Sequence, residues 1–413
     1  MKLHWQIAIA LGLAAATGAF FAPDSSVITG GAFVGNLFLN ALKMLVVPLI
    51  VSSLIQGLLS LNDPNALSRM GLKAITYYTG TCLAAVLVGL ALINLIQPGI
   101  IDGKPAGVLL GLTSSSDDVI AKIGHHDMGD IVGVFTRLIP PNLIEAAAKG
   151  DILGLILFSL AFGYFCSRLP EPLLSTQQNF WRGFQQVMLD ITGLVMKFAP
   201  YGVFGLVAKT VALTGLDAIR PLAWFFFAVL AGLATHMFIV LPLTLRFIAR
   251  VSPWRHFKAM SPALLTAFSS SSSAATLPVT LDCIQNRAGV SPRVTSFVLP
   301  LGATINLDGT ALYEIAVVMF MAQAYGLDLS LGTQFMIAIL ALITSTGVAG
   351  IPSASLVAIS VILGSVGLPL EGLGVILAVD RILDMCRTAV NVFSDSCGAV
   401  VVARLEGEDV LKS

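Results

Sequence analysis

An all-α membrane protein of eight transmembrane helices and two oppositely oriented re-entrant hairpins is the architecture this 413-residue sequence predicts. Three observations lead there. Only 11% of the residues are charged and 56% are hydrophobic, against about 25% charged in ordinary globular domains. Apolar runs of spanning length recur along the whole chain. Two further apolar runs are interrupted in their middles by polar or helix-breaking residues.

A helical span needs about 20 mostly apolar residues. Spans are predicted over 5–22, 32–61, 74–98, 131–167, 183–213, 218–245, 294–325 and 371–403. The N-terminus has a signal-like charge and apolar core, but the next span follows almost at once, so it reads as a retained helix. Run 131–167 holds Arg137, Glu145, Lys149 and Asp151 and predicts a broken helix. Run 183–213 holds Lys197, whose ammonium is expected to snorkel out of the span. Segment 99–130 is hydrophilic and reads as an external loop.

The interrupted runs are 259–281, within a hairpin over 254–284, and 329–370. The first contains Ser269 to Ser273 between Pro262 and Pro278. The second contains TSTGVAGIPSAS, where Gly347, Gly350 and Pro352 break any helix. Half-helices meeting at a polar tip make a re-entrant hairpin, tolerated only where protein or a watery cavity surrounds it. Arg69 and Lys73, Arg168 and Arg182, Arg246 to Lys258, and Arg287 and Arg293 mark cytoplasmic loops. Loops 23–31, 326–331 and 365–371 carry no Lys or Arg and lie outside. The first hairpin then enters from the cytoplasm, the second from outside, and both termini are cytoplasmic. Broken segments in matching positions of two inverted halves point to a secondary-transporter site.

Two helices carry ionisable groups at mid-span. In LPLGATINLDGTALYE, Gly302, Asn306, Thr310 and Glu314 recur every four residues on one face, with Asp308 beside them; NLDG is a place to unwind. In VDRILDMCRTAVNVFSDS, Asp380, Asp384, Arg387, Asn391 and Asp395 form one stripe. A charge at mid-bilayer costs about 2.5–3.5 kcal/mol, so these groups, with Arg381, must face protein and pair with each other or with ligands. Carboxylates outnumber arginines, and oxygen ligands suit hard cations.

The rival readings are an intramembrane ion-pair network, a channel and an enzyme. The serine run has no GxSxG elbow and no partnered histidine, and the chain is read as no enzyme. His236, the one histidine inside a span, reads as a satisfied core residue. Balanced charge, 23 Lys+Arg against 23 Asp+Glu, argues against nucleic acid as a partner. Five cysteines without a CxxC pair argue against a disulfide framework or zinc site.

At SSSSSAATLPVT, GATINLDGTALYE, GVAGIPSAS and DRILDMCRTAVNVFSDS the chain resembles the glutamate/aspartate transporter family, the dicarboxylate/amino acid:cation symporters, in a prokaryotic form. The resemblance implies an elevator-type homotrimer in the inner (cytoplasmic) membrane, with lipid around it and an acidic amino acid as substrate. The scaffold would comprise 1–72 (spans 1 and 2) and 131–216 (spans 4 and 5). The transport domain would comprise 73–130 (span 3 and the external loop) and 217–413, with the second hairpin as gate. Substrate residues carried over are Ser271, Ser273, Thr310, Gly350, Ile351, Asp384, Arg387, Thr388 and Asn391. Asp384 would take the α-ammonium and Arg387 the side-chain carboxylate, which Arg forks onto better than Lys. Their joint presence implies aspartate or glutamate rather than a C4-dicarboxylate or a neutral amino acid.

No enzymatic cofactor is implied; sodium is the implied coupling ion and the proton a second candidate. One sodium site would use Gly302, Asn306, Asn391 and Asp395, a second Tyr78, Thr81, Asn306 and Asp308, and a third carbonyls around Thr304, Ser345, Thr346 and Val348. Three positions depart from the family: Leu307 replaces a methionine, Cys82 a hydroxyl residue, and Glu314 stands where archaeal sodium-coupled members have glutamine. Burial disfavours a charged carboxyl, so Glu314 is the proton-carrier candidate, against a Glu314 permanently paired with Arg387 or Arg381. A proton-only carrier and a C4-dicarboxylate carrier stay open as alternatives.

Overall fold

The computed structural model describes residues 3–60, 69–112, 139–149, 152–214, 219–347 and 355–411. These are almost wholly helical. Helices α1 (Leu3–Phe20), α2 (Ser26–Ser60) and α3 (Arg69–Ile96) precede one antiparallel ribbon, β1 (Ile100–Ile101) with β2 (Lys104–Pro105). Then come α4 (Leu143–Lys149), α5 (Ile152–Cys166), α6 (Leu173–Lys197) and α7 (Ala199–Thr214). Helix α8 (Ile219–Ala249) widens into π geometry at His236–Val240 and Leu245–Ala249. Pro242, which has no amide hydrogen, lies between those turns. The remainder is α9 (Pro253–Ser270), α10 (Ser273–Asp282), α11 (Pro292–Ile305), α12 (Asp308–Ala324), α13 (Leu331–Gly347), α14 (Ser355–Ser365) and α15 (Leu373–Leu405).

Among the described residues, three stretches are long and apolar enough to cross a membrane: Met70–Ile96, Ile219–Ala249 and Pro292–Ala324. The sequence predicts a span over 183–213, and the fold bends within it. Helices α6 and α7 meet at a 52° bend. Pro200 follows the bend by two residues and removes an amide from the ladder. Lys197 is the exposed last residue of α6. Of the run 131–167, where a broken helix is expected, the described residues include α4 and α5, and residues 131–138, 150 and 151 lie outside them.

Helices α1 and α2 pack on α7, and α2 also packs on α5 and α6. The α2–α7 crossing is close: a Cβ on Gly205 would fall 1.9 Å from the Gly31 carbonyl oxygen. Small residues permit such approaches between membrane helices. The second half has two cores. One joins α3, α8, α12, α13, α14 and α15, takes in Phe38 of α2 and Ala199 and Val203 of α7, and contains Phe225, Tyr313 and Phe320. The other joins the opposite end of α8 with α9, α10, α11 and the last turns of α15. Helix α11 belongs to one core and α12 to the other, so the junction at Asn306 and Leu307 falls between them.

Helices α9 and α10 pack on each other and meet at Ser271 and Ser272. Helices α13 and α14 also pack together. The glycine-rich tip between them, with Val348, Gly350 and Ile351, lies outside the described residues.

Candidate functional site

The α11–α12 stretch is continuous in sequence but unwound at two residues. Asn306 (φ −105°, ψ 85°) and Leu307 (φ −115°, ψ 56°) leave helical geometry. The freed polar groups find partners on α15. Asn391 Oδ1 accepts the Gly309 N–H at 2.7 Å, and its Nδ2 donates to Thr310 Oγ1 at 3.2 Å. Side-chain capping of this kind lets irregular backbone persist at membrane depth. The unwinding splits the predicted row. A Cβ on Gly302 would lie 2.7 Å from the Tyr78 hydroxyl and 2.8 Å from Asp395 Oδ1. Asn306 Nδ2 donates to Asp395 Oδ1 at 2.9 Å. Thr310 meets Asn391, and Glu314 meets Thr344.

Oxygens gather on the α3 side of the break. Thr81 Oγ1 lies 3.2 Å from the Tyr78 carbonyl, 3.5 Å from Asn306 Oδ1 and 3.4 Å from Asp308 Oδ1. The Tyr78 hydroxyl is turned elsewhere, toward the carbonyls of Val298 (3.1 Å) and Asp395 (3.3 Å). Asp308 Oδ2 accepts from Ser394 Oγ at 2.6 Å and lies 2.9 Å from His236 Nε2. Cys82 touches Ser345 Oγ on α13 at 3.7 Å. Ser345 is fully buried, and Thr346 lies in the next position of α13. The Thr304 side chain is exposed, and its hydroxyl donates back to the Pro300 carbonyl (2.9 Å).

A second group of charges lies on α15. Arg387 Nη2 donates to Asp384 Oδ1 (2.8 Å) and Asp380 Oδ1 (3.2 Å), and its Nη1 to Ser355 Oγ (2.7 Å). Its guanidinium carbon lies 3.9 Å over the centroid of the Tyr313 ring, a cation–π contact. Arg381 Nη1 reaches Asp384 Oδ2 at 3.3 Å. Two arginines and two aspartates thus form a balanced quartet, all buried. Thr388 Oγ1 donates to the Asp384 carbonyl at 2.8 Å.

Three carboxylates stand apart from that quartet: Asp308, Glu314 and Asp395. Among the described residues, none of them has a guanidinium or ammonium partner. Glu314 Oε2 lies 2.8 Å from Thr344 Oγ1, and its Oε1 is buried without a partner. The expected alternative, Glu314 paired with Arg387 or Arg381, is not what the described residues form.

At the first hairpin tip, Ser271 adopts the left-handed conformation (φ 53°) and its buried Oγ has no partner among the described residues. A non-glycine residue there is uncommon; Ser271 ends α9 in that conformation, its N–H donating to the Ala267 carbonyl. Ser273, also buried, opens α10. The neighbouring serines serve backbone: Ser272 Oγ caps α10 at Ala275 N (3.2 Å), Ser270 Oγ accepts Ser272 N–H (3.2 Å), and Ser269 Oγ donates to the Leu265 carbonyl (2.8 Å).

Sequence reasoning did not place Tyr313, Thr344, Ser355, Ser394 or His236 at the site. Ser394 carries a signal, three residues beyond Asn391 on the same helix; Thr344 and Ser355 bracket the glycine-rich tip. His236 reads as an ordinary core histidine, and only the fold brings it to Asp308. His256 is fully buried as well, with Nε2 2.8 Å from Ser396 Oγ.

A helical membrane protein with unwound backbone, hydroxyls and carboxylates that no described guanidinium or ammonium balances gathered inside it has the features of a secondary transporter. The profile of the sodium:dicarboxylate symporter family matches residues 3–405. The chain belongs to that family, whose members are symporters and not enzymes. It is 36% identical over 414 residues to the proton/sodium-glutamate symport protein of Geobacillus stearothermophilus, covering 98% of this chain and 95% of that one. It is 35% identical to the proton/glutamate-aspartate symporter of Escherichia coli K12 (98% and 93%) and 34% identical to mouse excitatory amino acid transporter 3 (92% and 80%).

Proposed function

We propose that this chain is a secondary active symporter that takes up L-aspartate or L-glutamate on cation gradients. The observation that carries the reading is the division of buried charge. The Asp384–Arg387 pair offers one group for an ammonium and one for a carboxylate. Asp308, Glu314 and Asp395 supply negative charge that no described guanidinium balances and that cations or protons can. A neutral ligand would offer Arg387 no carboxylate in exchange for its bonds to Asp380 and Asp384. The names of the bacterial relatives point the same way.

Ser271, Ser273, Thr310, Thr388 and Asn391, with Gly350 and Ile351, complete the substrate residues. Hydroxyls and half-helix N-termini suit an α-carboxylate. Sodium as co-transported substrate fits Thr81, Asn306, Asp308 and the Tyr78 carbonyl, and separately Gly302, Asn306, Asn391 and Asp395. These are oxygen ligands, the kind hard cations take. The carbonyls around Thr304, Ser345, Thr346 and Val348 are the third set. Eight spans, two inverted hairpins, a scaffold of 1–72 with 131–216, a sliding transport domain, a homotrimer and cytoplasmic termini complete this reading. The packing of α1 and α2 against α5, α6 and α7 supports the scaffold.

Proton coupling has its own support. Thr344 Oγ1 lies 2.7 Å from the Leu340 carbonyl as well as 2.8 Å from Glu314 Oε2. A hydroxyl has one proton. If it goes to the carbonyl, which can only accept, Glu314 must bring the proton for the second bond and is then the neutral acid. Uptake into liposomes with sodium or proton gradients imposed one at a time, and a competition panel of amino acids, tests the whole reading. Uptake that neither gradient drives, or that serine and succinate inhibit as well as aspartate, overturns it.

A further inference from the structure

We propose that His236, together with Ser394, is a positioning residue for the cation-binding oxygen of Asp308; this rests on the sodium-coupling reading above. His236 opens a π turn of α8. Such turns recur at functional sites in other proteins, and this one begins at the residue that reaches α12. His236 Nε2 lies 2.9 Å from Asp308 Oδ2, with both side chains fully buried. Ser394 Oγ lies 2.6 Å from the same oxygen and 3.0 Å from Asn306 Nδ2. The Asn306 amide can only donate there, so the serine proton goes to Asp308. The carboxylate's far oxygen thus takes two donors from two different helices.

That leaves Oδ1, which faces Thr81 Oγ1 at 3.4 Å. The same hydroxyl lies near the Tyr78 carbonyl and Asn306 Oδ1. Its single proton can serve one of these three acceptors. Asn306 cannot turn a donor toward them, because its Nδ2 is committed to Ser394 and Asp395. The cluster is rich in acceptors and short of donors, which is what a hard cation requires. Its geometry depends on the rotation of the Asp308 carboxylate, and His236 and Ser394 are the groups that set that rotation. His236 Nδ1 has no partner among the described residues, so the ring is tied to Asp308 through one nitrogen.

The test uses full-length protein in liposomes and in detergent. His236→Leu and Ser394→Ala remove donors; His236→Gln keeps an N–H. Losing a partner of a metal-bound group costs about 10–100-fold in ion affinity. The half-saturating sodium concentration is expected to rise about tenfold or more in the Leu and Ala variants. It should rise both for uptake and for the sodium-dependent gain in melting temperature. Aspartate half-saturation at saturating sodium should stay within about twofold, and the Gln variant should lie near wild type. Unchanged sodium dependence in both donor-deleted variants overturns the inference. So does an equal loss for Leu and Gln with aspartate affinity falling in step, which is packing damage. If wild type itself shows no sodium response, the coupling reading fails and takes this inference with it; a wild-type response that the variants share removes the inference alone.

Discussion

Asp384 Oδ1 accepts a hydrogen bond from Arg387 Nη2 at 2.8 Å, so the two residues assigned to opposite ends of the substrate hold each other across one turn of α15. Each keeps other partners, Arg381 for Asp384 and Asp380 with Ser355 for Arg387. A substrate with both an ammonium and a second carboxylate can exchange with this pair without stranding either charge. Arg387→Ala is expected to raise the aspartate half-saturation about a hundredfold or more, matching the 3–5 kcal/mol for a broken buried pair. Serine should then compete. Asp384→Asn should instead weaken amino acids and let succinate compete. Competition assays in liposomes read both; unchanged aspartate affinity with serine still excluded in the Arg387 variant removes the assignment.

Glu314→Gln retains a side chain that can bond Thr344 but not one that can release a proton. Under a pH gradient alone, the variant is expected to lose uptake that the wild type shows. Under a sodium gradient it should still transport, with a flatter dependence on pH. Equal responses of variant and wild type to the pH gradient would show that the proton travels elsewhere.

Gly302 has no room for a methyl group: it would meet the Tyr78 hydroxyl at 2.7 Å and Asp395 Oδ1 at 2.8 Å. Gly302→Ala must push one of them aside, at about 1–3 kcal/mol of stability for overpacking. Because Asp395 holds Asn306, the oxygens beside the helix break move with it. The expected result is a melting temperature a few degrees lower and a half-saturating sodium concentration raised about tenfold. Normal sodium dependence in a folded Gly302→Ala protein would place Asp395 outside the ion site.

Charge patterning made much of this legible in advance. Polar residues are so costly in a bilayer that the stripe on α15, the NLDG break and the serine tip stand out against an apolar background. Two things were hidden. The bend between α6 and α7 depends on Pro200 acting in a run whose hydropathy continues through it. The partners of Asp308 and Arg387 come from α8, α12 and α14, and contacts between distant segments leave no periodicity. The excess of carboxylates was legible, but its location was not: Asp380 and Asp384 are matched by the two arginines, and the surplus lies at Asp308, Glu314 and Asp395.

Beside the first of the two cores, Arg220 grips Asp102 of the ribbon turn with two hydrogen bonds, 2.7 and 2.9 Å, joining the segment after α3 to the start of α8. Those bonds and the guanidinium charge hold the Asp102 carboxyl below its ordinary range. A depressed folded value means the contribution is present above the unfolded value, about 3.9, and is lost as pH falls through the folded one. The pair is exposed, so its contribution is small and screened by salt. The melting difference between wild type and Asp102→Asn should be constant from pH 7 to about 4, then close. A difference that instead grows on acidification contradicts the pairing.

The end of the chain straps the second core. Glu408 Oε2 accepts the Ser291 N–H at 3.0 Å, and its Oε1 bonds the Ser291 hydroxyl. Leu411 N–H donates to the Ala288 carbonyl at 2.9 Å, and Arg404 Nη1 to the Glu408 carbonyl at 3.2 Å. Lys73 at the start of α3 reaches the Leu405 carbonyl (2.8 Å) and Glu406 (2.6 Å). A carboxylate at the N-terminus of α11 also meets the positive end of that helix. Hydrogen bonds to a charged group contribute about 1.5–3 kcal/mol, so Glu408→Ala should lower the melting temperature measurably, and Glu408→Gln less. The 14 residues of α11 separate this cap from the Asn306 break by about 21 Å of helix. Aspartate and sodium half-saturation should therefore be unchanged in both variants. A shift in either constant without a shift in melting temperature would mean the strap acts on transport rather than on stability.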